Sequence, residues 1–363
     1  MTNATTPHEQ DAGAALAERV RQASADATPL RIAGGDTRGF YGREVEGSVL
    51  SVREHRGITF YDPVELVVSV RAGTPLAELE AALAEHGQML PFEPPRYGEA
   101  STVGGMVATG LSGPRRPWAG SVRDFVLGTR VINHEGIEQR FGGEVMKNVA
   151  GYDLSRLMVG AQGTLGLITE VSFKVLPTPG ATRSLRLSLP LDEARLRLVE
   201  WGREPLPISA AAWLDGALHL RLEGGPSSVA ATRARIGGDE LDNAFWSALR
   251  DQRLAFFSEG EAPLWRLSLP HRAPTLDLPD VDESLMIHDW AGAQRWLRTE
   301  LNAETVRQAC QAAGGHATCY GPRPAAIEPF TPLPEVVTKY HRNLKAQLDP
   351  KGIFNRGRLY AAF

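Results

Sequence analysis

Three glycine-rich stretches hold the residue types and spacing in this chain most suited to chemistry: GGDTRGFYG (residues 34–42), STVGGMVATGLSG (101–113) and VGAQGTLG (159–166). Glycine admits positive φ and lets a second backbone or a ligand come close, so such a loop can turn several N–H groups toward one phosphate. Any one of these stretches alone reads more readily as a plain turn, whereas three in the first half of one chain favour a dinucleotide pyrophosphate site. Neither GxGxxG nor GxxxxGK[ST] occurs, so a Rossmann or P-loop reading has no support. Metal and thiol chemistry are poorly provided for. The nine histidines stand singly, without HxH or HExxH, and Cys310 and Cys319 alone cannot build a four-thiolate zinc or iron–sulfur site. No metal site is expected, and redox chemistry would need an organic cofactor or a partner.

The elements that must position these stretches alternate between helical and extended patterns. A helix is predicted over 10–22, a strand at 30–33 entering the first cluster, and short strands near 49–52 and 58–61. A helical turn follows at Asp62-Pro63, then a strand at 66–70 and a helix opened by Thr74-Pro75 and ended by Gly87. The second cluster precedes a strand at 125–132 that hairpins through His134-Glu135-Gly136 into 137–141, and the third leads into a strand at 167–175. Pro177, Pro179 and Gly180 mark a domain boundary. Beyond it come strands at 185–189, 210–214, 218–222, 264–269, 285–290 and 317–320, helices at 192–203, 229–236, 241–254 and 303–313, a proline-rich linker, and a helix at 335–348 with the tail DPKGIFNRGRLY.

A length of 363 residues with 42% hydrophobic and 23% charged residues suits a soluble chain of about two domains. Thirty-nine basic against 43 acidic residues give a formal charge of −4, too balanced for a dedicated nucleic-acid binder. No long uncharged apolar run or signal peptide is visible, so a cytoplasmic protein with no membrane span of its own is expected, membrane-associated only through partners.

Longer ordered strings say more than the glycine count. PLRIAGGDTRGFYGR (29–43), STVGGMVATGLSGPRRPWAGSVRDFVLGTRVIN (101–133) and GGEVMKNVAGYDLSRLMVGAQGTLGLITEVSFKVLPTP (142–179) resemble the FAD-binding domain of the vanillyl-alcohol oxidase / p-cresol methylhydroxylase (PCMH) family. With DWAGAQRWL (289–297) and the tail, the chain is similar in particular to the FAD-binding E subunits of bacterial glycolate oxidase. The resemblance implies an α+β fold with a PCMH-type FAD-binding domain at 1–179, built of two α+β subdomains (about 1–56 and 57–178) around the flavin. It further implies an α+β cap domain at 180–325 and a C-terminal segment, 326–363, whose helix and tail return to the FAD domain. By position, Gly34, Gly35, Asp36, Thr37 and Gly39 would wrap the pyrophosphate. Ser101, Thr102, Gly104 and Gly105 would line the pyrophosphate and ribityl chain, Ala108, Thr109 and Gly113 would lie nearer the ring, and Gly163, Gly166 and Ile168 would hold the adenosine end. Asp36 departs from the glycine or asparagine common there, and beside a diphosphate it must turn away or cap an N–H. The first two clusters contain neither His nor Cys, so FAD is expected to bind non-covalently.

The resemblance also implies a subunit of a glycolate oxidase complex, oxidising glycolate or another small 2-hydroxy acid and passing electrons to an iron–sulfur subunit, with a second FAD-binding subunit beside it. A non-catalytic relay or structural flavoprotein of that complex, and a stand-alone FAD-dependent alcohol oxidase, remain open alternatives. Oxidising a hydroxy acid calls for a cation to hold the carboxylate and a base for the hydroxyl proton. The paired metal-ligating histidines of catalytic family members are not visible, which favours a supporting role. Catalytic residues stay unassigned. Arg116, beside Arg115, is a candidate carboxylate clamp or a surface residue, and His288 in MIHDW is a candidate base or a locally bonded strand histidine. Lys147, Asn148, Tyr152 and Asp153 are candidates for cofactor contact or capping, Asn355 and Arg358 for closing over the flavin or docking the tail, and both cysteines read as core.

Overall fold

The β-branched run VVSVR and the alternating stretch LITEVSFK are the residues best fitted to a central sheet, buried on one or both faces. The computed structural model, which describes residues 10–143, 153–321, 323–324 and 326–363, pairs them side by side. The chain divides into two units, Met1–Leu111 with Ser121–Pro177 and Pro332–Phe363, and Ser112–Gly120 with Thr178–Thr331.

In the first unit β1 (Leu30–Ala33) and β2 (Ser48–Ser51) form a parallel pair, with the first glycine cluster in the connection between them. The strands β3 (Ile58–Asp62), β4 (Val67–Arg71), β6 (Val126–Ile132), β7 (Glu138–Gly142) and β8 (Leu167–Lys174) make an antiparallel sheet in the order β3-β4-β8-β6-β7, while β5 (Gln88–Met89) pairs with β9 (Leu176–Pro177). The helix Leu76–Glu85 buries Leu76, Leu79 and Leu83, spaced three and four apart on one face, against Val68, Val70, Phe92 and Phe173. Each such fully buried side chain contributes about 1.5–3 kcal/mol. The second cluster contains a helix, Val103–Thr109, that the sequence pattern did not suggest. Thr102 Oγ1 accepts Gly105 N–H at its start, Gly110 closes it with φ +64°, and it buries Val103, Met106 and Val107 in the same core.

In the second unit β10 (Ala181–Ser188), β11 (Ile208–Leu214), β12 (Ala217–Gly224), β13 (Asp239–Leu241), β14 (Leu264–Ser268), β15 (Met286–Asp289), β16 (Gln294–Arg298) and β17 (His316–Tyr320) form one antiparallel sheet, ordered β13-β10-β12-β11-β15-β16-β14-β17. One face, carrying Leu218, Leu220, Trp213, Met286, Leu297 and Leu267, packs against the helices Leu191–Trp201, Pro226–Ile236 and Ala303–Ala312. The other carries Arg221, Glu223, Arg266, Asp289 and Gln294, by the register of the strand pairs.

Three readings of the sequence change. Residues 285–290 are half of a hairpin whose second strand, QRWLR, is too polar to be read as a buried strand, and the helix expected at 241–254 is two pieces, Ala244–Arg250 and Ala255–Ser258. Residues 112–120, placed in the first domain from the sequence, group with the second unit. Arg115 there forms a two-pronged ion pair with Glu223 (2.7 and 2.8 Å), and Gly113 O accepts Trp290 Nε1–H at 2.9 Å.

The C-terminal tail closes the first unit. Phe354 runs parallel beside Leu30, and Ile353 and Phe354 are fully buried with Leu16, Val20 and Leu50. From the helix Glu335–Leu348, Lys345 Nζ reaches Thr164 O (2.6 Å), Phe354 O (2.9 Å) and Asp349 Oδ2 (2.6 Å), while Asp349 accepts the N–H groups of Ile353 and Phe354. Burial lowers the Lys345 pKa and Asp349 opposes the fall. Lys345→Met leaves a buried carboxylate and two carbonyls without their donor, so a loss of about 3 kcal/mol is expected, read as a lower urea midpoint; an unchanged midpoint would show that the pair contributes nothing.

Candidate functional site

Where the glycine clusters meet, the first unit encloses a cavity of about 380 Å³, the size range of small-ligand sites. Thirteen of the fifteen positions singled out from the sequence line it: Gly34, Gly35, Asp36, Thr37, Gly39, Thr102, Gly104, Gly105, Ala108, Thr109, Gly163, Gly166 and Ile168. Ser101 does not. It is buried, and its Oγ accepts Arg38 Nη1–H at 2.6 Å. Gly113 lies in the second unit.

Close approach explains the glycines. A Cβ on Gly35 would stand 1.5 Å from Ala100 O, one on Gly34 2.2 Å from Thr102 Oγ1, and one on Gly104 2.7 Å from the Ala72 Cβ. With the two loops this near, the N–H groups of Gly34, Gly35, Asp36 and Thr37 donate to no acceptor among the described residues, and all four residues line the cavity. Successive amides left this way form an anion-binding concavity. Asp36, at φ +56°, sends its carboxylate to Arg31 Nη1 (2.9 and 3.0 Å), which answers the concern about a negative charge beside a diphosphate.

Three cations and two carboxylates line the cavity: Arg31, Arg38 and Arg358 against Asp36 and Glu44. Arg38 is 7% exposed, and besides Ser101 it donates to Pro95 O at 2.5 Å, so one guanidinium joins both glycine loops. Sequence reasoning missed Arg38 and Gln162, although each sits inside a glycine cluster, where an isolated polar side chain was the available signal. The tail supplies the rest. Asn355 Oδ1 accepts Ile32 N–H (2.8 Å) and its Nδ2 donates to Gln162 O (2.7 Å). Arg358 donates to Gln162 Oε1 (3.0 Å) and to the carbonyls of Arg38, Tyr41 and Arg43 (3.0, 2.7 and 2.6 Å).

The other candidates separate. Lys147, Asn148 and Tyr152 lie outside the described residues, and Asp153 caps the short helix Leu154–Leu157 through Arg156 N–H. His288 faces Trp213 on the helix-covered side of the sheet, and its Nδ1 has no partner among the described residues. Burial, then the charges of Arg295 and Arg195, pushes its pKa down to about 3. A 4% exposed imidazole on the packed face is a core residue, not a base presented to substrate. Arg116 stands over the Trp290 ring, 4.3 Å from its centroid, whereas Arg115 is committed to Glu223. Burial pushes the thiols of Cys310 and Cys319 up to about 12 and about 11, which leaves them protonated at neutral pH. Among the described residues no helix is long and apolar enough to cross a membrane.

Comparison with known proteins agrees with this geometry. An FAD binding domain family matches residues 11–142. The glycolate oxidase subunit GlcE of Escherichia coli (strain K12) is 55% identical over 353 residues, 97% of this chain and 99% of that one. A D-lactate dehydrogenase of Archaeoglobus fulgidus is 34% identical over 185 residues, 50% of this chain and 41% of that one. Among solved structures, an alkyldihydroxyacetonephosphate synthase shares the fold, with a TM-score of 0.66 and 16% identity over 94% of this chain and 74% of that one. The first unit therefore carries an FAD-binding domain in a PCMH-type α+β fold, and the chain belongs to the GlcE family of glycolate oxidase subunits.

Proposed function

We propose that this chain is the FAD-carrying subunit of a complex that oxidises glycolate, or a similarly small 2-hydroxy acid, to the oxo acid. The observation that supports it best is the row of four amides, Gly34 to Thr37, which have no acceptor among the described residues and belong to residues lining the cavity of a chain that matches GlcE along nearly its whole length. Those amides would hold the diphosphate, with Arg38 and Arg358 adding positive charge close by. Thr102, Gly104 and Gly105 would line the pyrophosphate and ribityl chain, Ala108 and Thr109 the ring side, and Gly163, Gly166 and Ile168 the adenosine end. Among the described residues no His, Cys or Tyr lines the cavity, which supports non-covalent attachment. Bound FAD supplies an acceptor for the two electrons released when an alcohol becomes a carbonyl.

Those electrons must leave again, and the two buried, protonated thiols of this chain cannot hold an iron–sulfur cluster. The acceptor would then be oxygen or another protein, and among proteins a second FAD-binding subunit and an iron–sulfur subunit are the fitting partners. The packing of His288 into the core favours a second reading, in which a sister flavoprotein removes the substrate hydrogens and this chain relays electrons or supports the assembly.

Purified chain is expected to be yellow and to release about one FAD per chain on denaturation; a folded, colourless protein that takes up no added FAD would sink the proposal. Gly35→Ala should abolish FAD retention by driving a methyl into Ala100 O, whereas Gly225→Ala, with nothing within 4 Å of its added Cβ, should leave it intact. Tagged chain from its native host should bring down an iron-containing partner. Recovery of a monomer that bleaches with glycolate in anaerobic rapid mixing and turns over with oxygen would instead establish the stand-alone oxidase.

A further inference from the structure

We propose that the face of the second-unit sheet opposite the helices Leu191–Trp201, Pro226–Ile236 and Ala303–Ala312 carries a receptor for a small carboxylate, centred on Arg266. By register Arg266 of β14 shares this face with Gln294 of β16 and Asp289 of β15. Its Nε–H donates to Gln294 Oε1 at 2.6 Å, Gln294 Nε2–H donates to Asp289 Oδ2 at 2.9 Å, and Asp289 Oδ1 accepts Trp290 N–H at 2.7 Å. This relay fixes the guanidinium from behind. Its two Nη groups have no hydrogen-bond partner and no carboxylate within 4 Å among the described residues, although the side chain is half-buried.

Three other arginines of this sheet, Arg221, Arg295 and Arg298, are spoken for. Arg221 is paired with Glu223 and Ser209, Arg295 donates to the carbonyls of Ala273, Pro274 and Gly292, and Arg298 to those of Phe256, Phe257 and Ala262. Arg266 alone among these four keeps both ends of its fork available.

A strained turn supports the same position. Trp290 and Ala291 both have φ +54°, and Gly292 follows at +91°. Two consecutive non-glycine residues in the left-handed region are costly and persist where their surroundings over-determine them, often at ligand sites. Here the turn sets the indole beneath Arg266, whose Cζ is 5.3 Å from the ring centroid, and beneath Arg116 at 4.3 Å, with Nε1–H tied to Gly113 O. One indole thus gathers two cations, and Arg115 of the same segment is neutralised by Glu223.

A guanidinium locked through Nε and open at both Nη atoms matches a carboxylate in two parallel hydrogen bonds, and the indole gives it a flat wall. The ligand class is a small monocarboxylate or dicarboxylate. This deepens the proposed 2-hydroxy acid oxidation and rests on that reading, because it names the group that would hold the acid by its anionic end.

The test is calorimetric titration of the full, FAD-supplied chain with oxalate and glycolate, and with glycerol as an uncharged control. The wild-type chain should bind both acids and not glycerol. Arg266→Gln should weaken oxalate by at least about tenfold, the scale of one lost charge-assisted pair, with FAD content unchanged and Arg266→Lys partly restoring affinity. Gln294→Met, which unlocks the guanidinium without removing it, should cost several-fold, and Arg183→Gln on an exposed strand position should change nothing. Oxalate binding equal in wild type and Arg266→Gln, or a wild-type chain that takes FAD and ignores both acids, overturns the receptor. Binding through Arg266 in a chain that refuses FAD upholds the receptor and overturns the flavoprotein reading instead.

Discussion

The first unit depends on how closely its glycine loops approach one another. Gly35 lies so near Ala100 that no side chain fits between them, and Gly34 and Gly104 are pressed against Thr102 and Ala72 in the same way. The amides of Gly34 to Thr37 have no acceptor among the described residues, and all four residues line the cavity. Arg38 then ties the arrangement together through Ser101 and the Pro95 carbonyl, from a buried position where an unbonded guanidinium could not remain. A larger residue at any of the three glycines acts on the cavity through the backbone, before any question of ligand contact arises.

The same loop is held from the far end of the chain. Arg358 donates to three successive carbonyl sites between Arg38 and Arg43, and Asn355 bridges β1 to the Gln162 turn. Gly163 has φ +70° and would meet Asn355 if it carried a Cβ, and Gly42 would likewise meet Gln162 and Arg358. Asn355 and Arg358 of the tail are therefore part of the cavity wall, and the buried Lys345–Asp349 pair anchors the tail by drawing Thr164, Ile353 and Phe354 onto one charge cluster.

Much of the first unit was legible because a backbone cradle writes itself as glycine. The strands at 67–71, 126–132 and 167–174 were visible as β-branched or alternating runs, and thirteen of fifteen chosen positions fall on the cavity. What escaped was what side chains do at long range. Nothing local to the sequence says that Arg38 reaches Ser101 or that Arg358 closes the 38–43 loop. The helix Val103–Thr109 was hidden because two glycines and two valines give it poor intrinsic propensity, and burial of Val103, Met106 and Val107 overrides that preference.

The second unit shows the opposite case. Its sheet packs one face against the helices Leu191–Trp201, Pro226–Ile236 and Ala303–Ala312 and carries Arg221, Glu223, Arg266, Asp289 and Gln294 on the other, and a residue's fate is decided by a register that moves a side chain from one face to the other at every step. His288 and Asp289 are neighbours in sequence, yet the first points into the packed face and loses its proton to burial, while the second joins the chain of hydrogen bonds that orients Arg266. A histidine draws attention in a sequence read for catalysis, whereas an arginine in LWRLS does not. The missing information was the hairpin Met286–Arg298, whose strained turn sets the pairing of Asp289 with Gln294 and brings Arg266 into line with both. Chemistry built from side chains on a sheet can thus be read only after the strand register is known, while chemistry built from backbone amides can be seen in the glycines themselves.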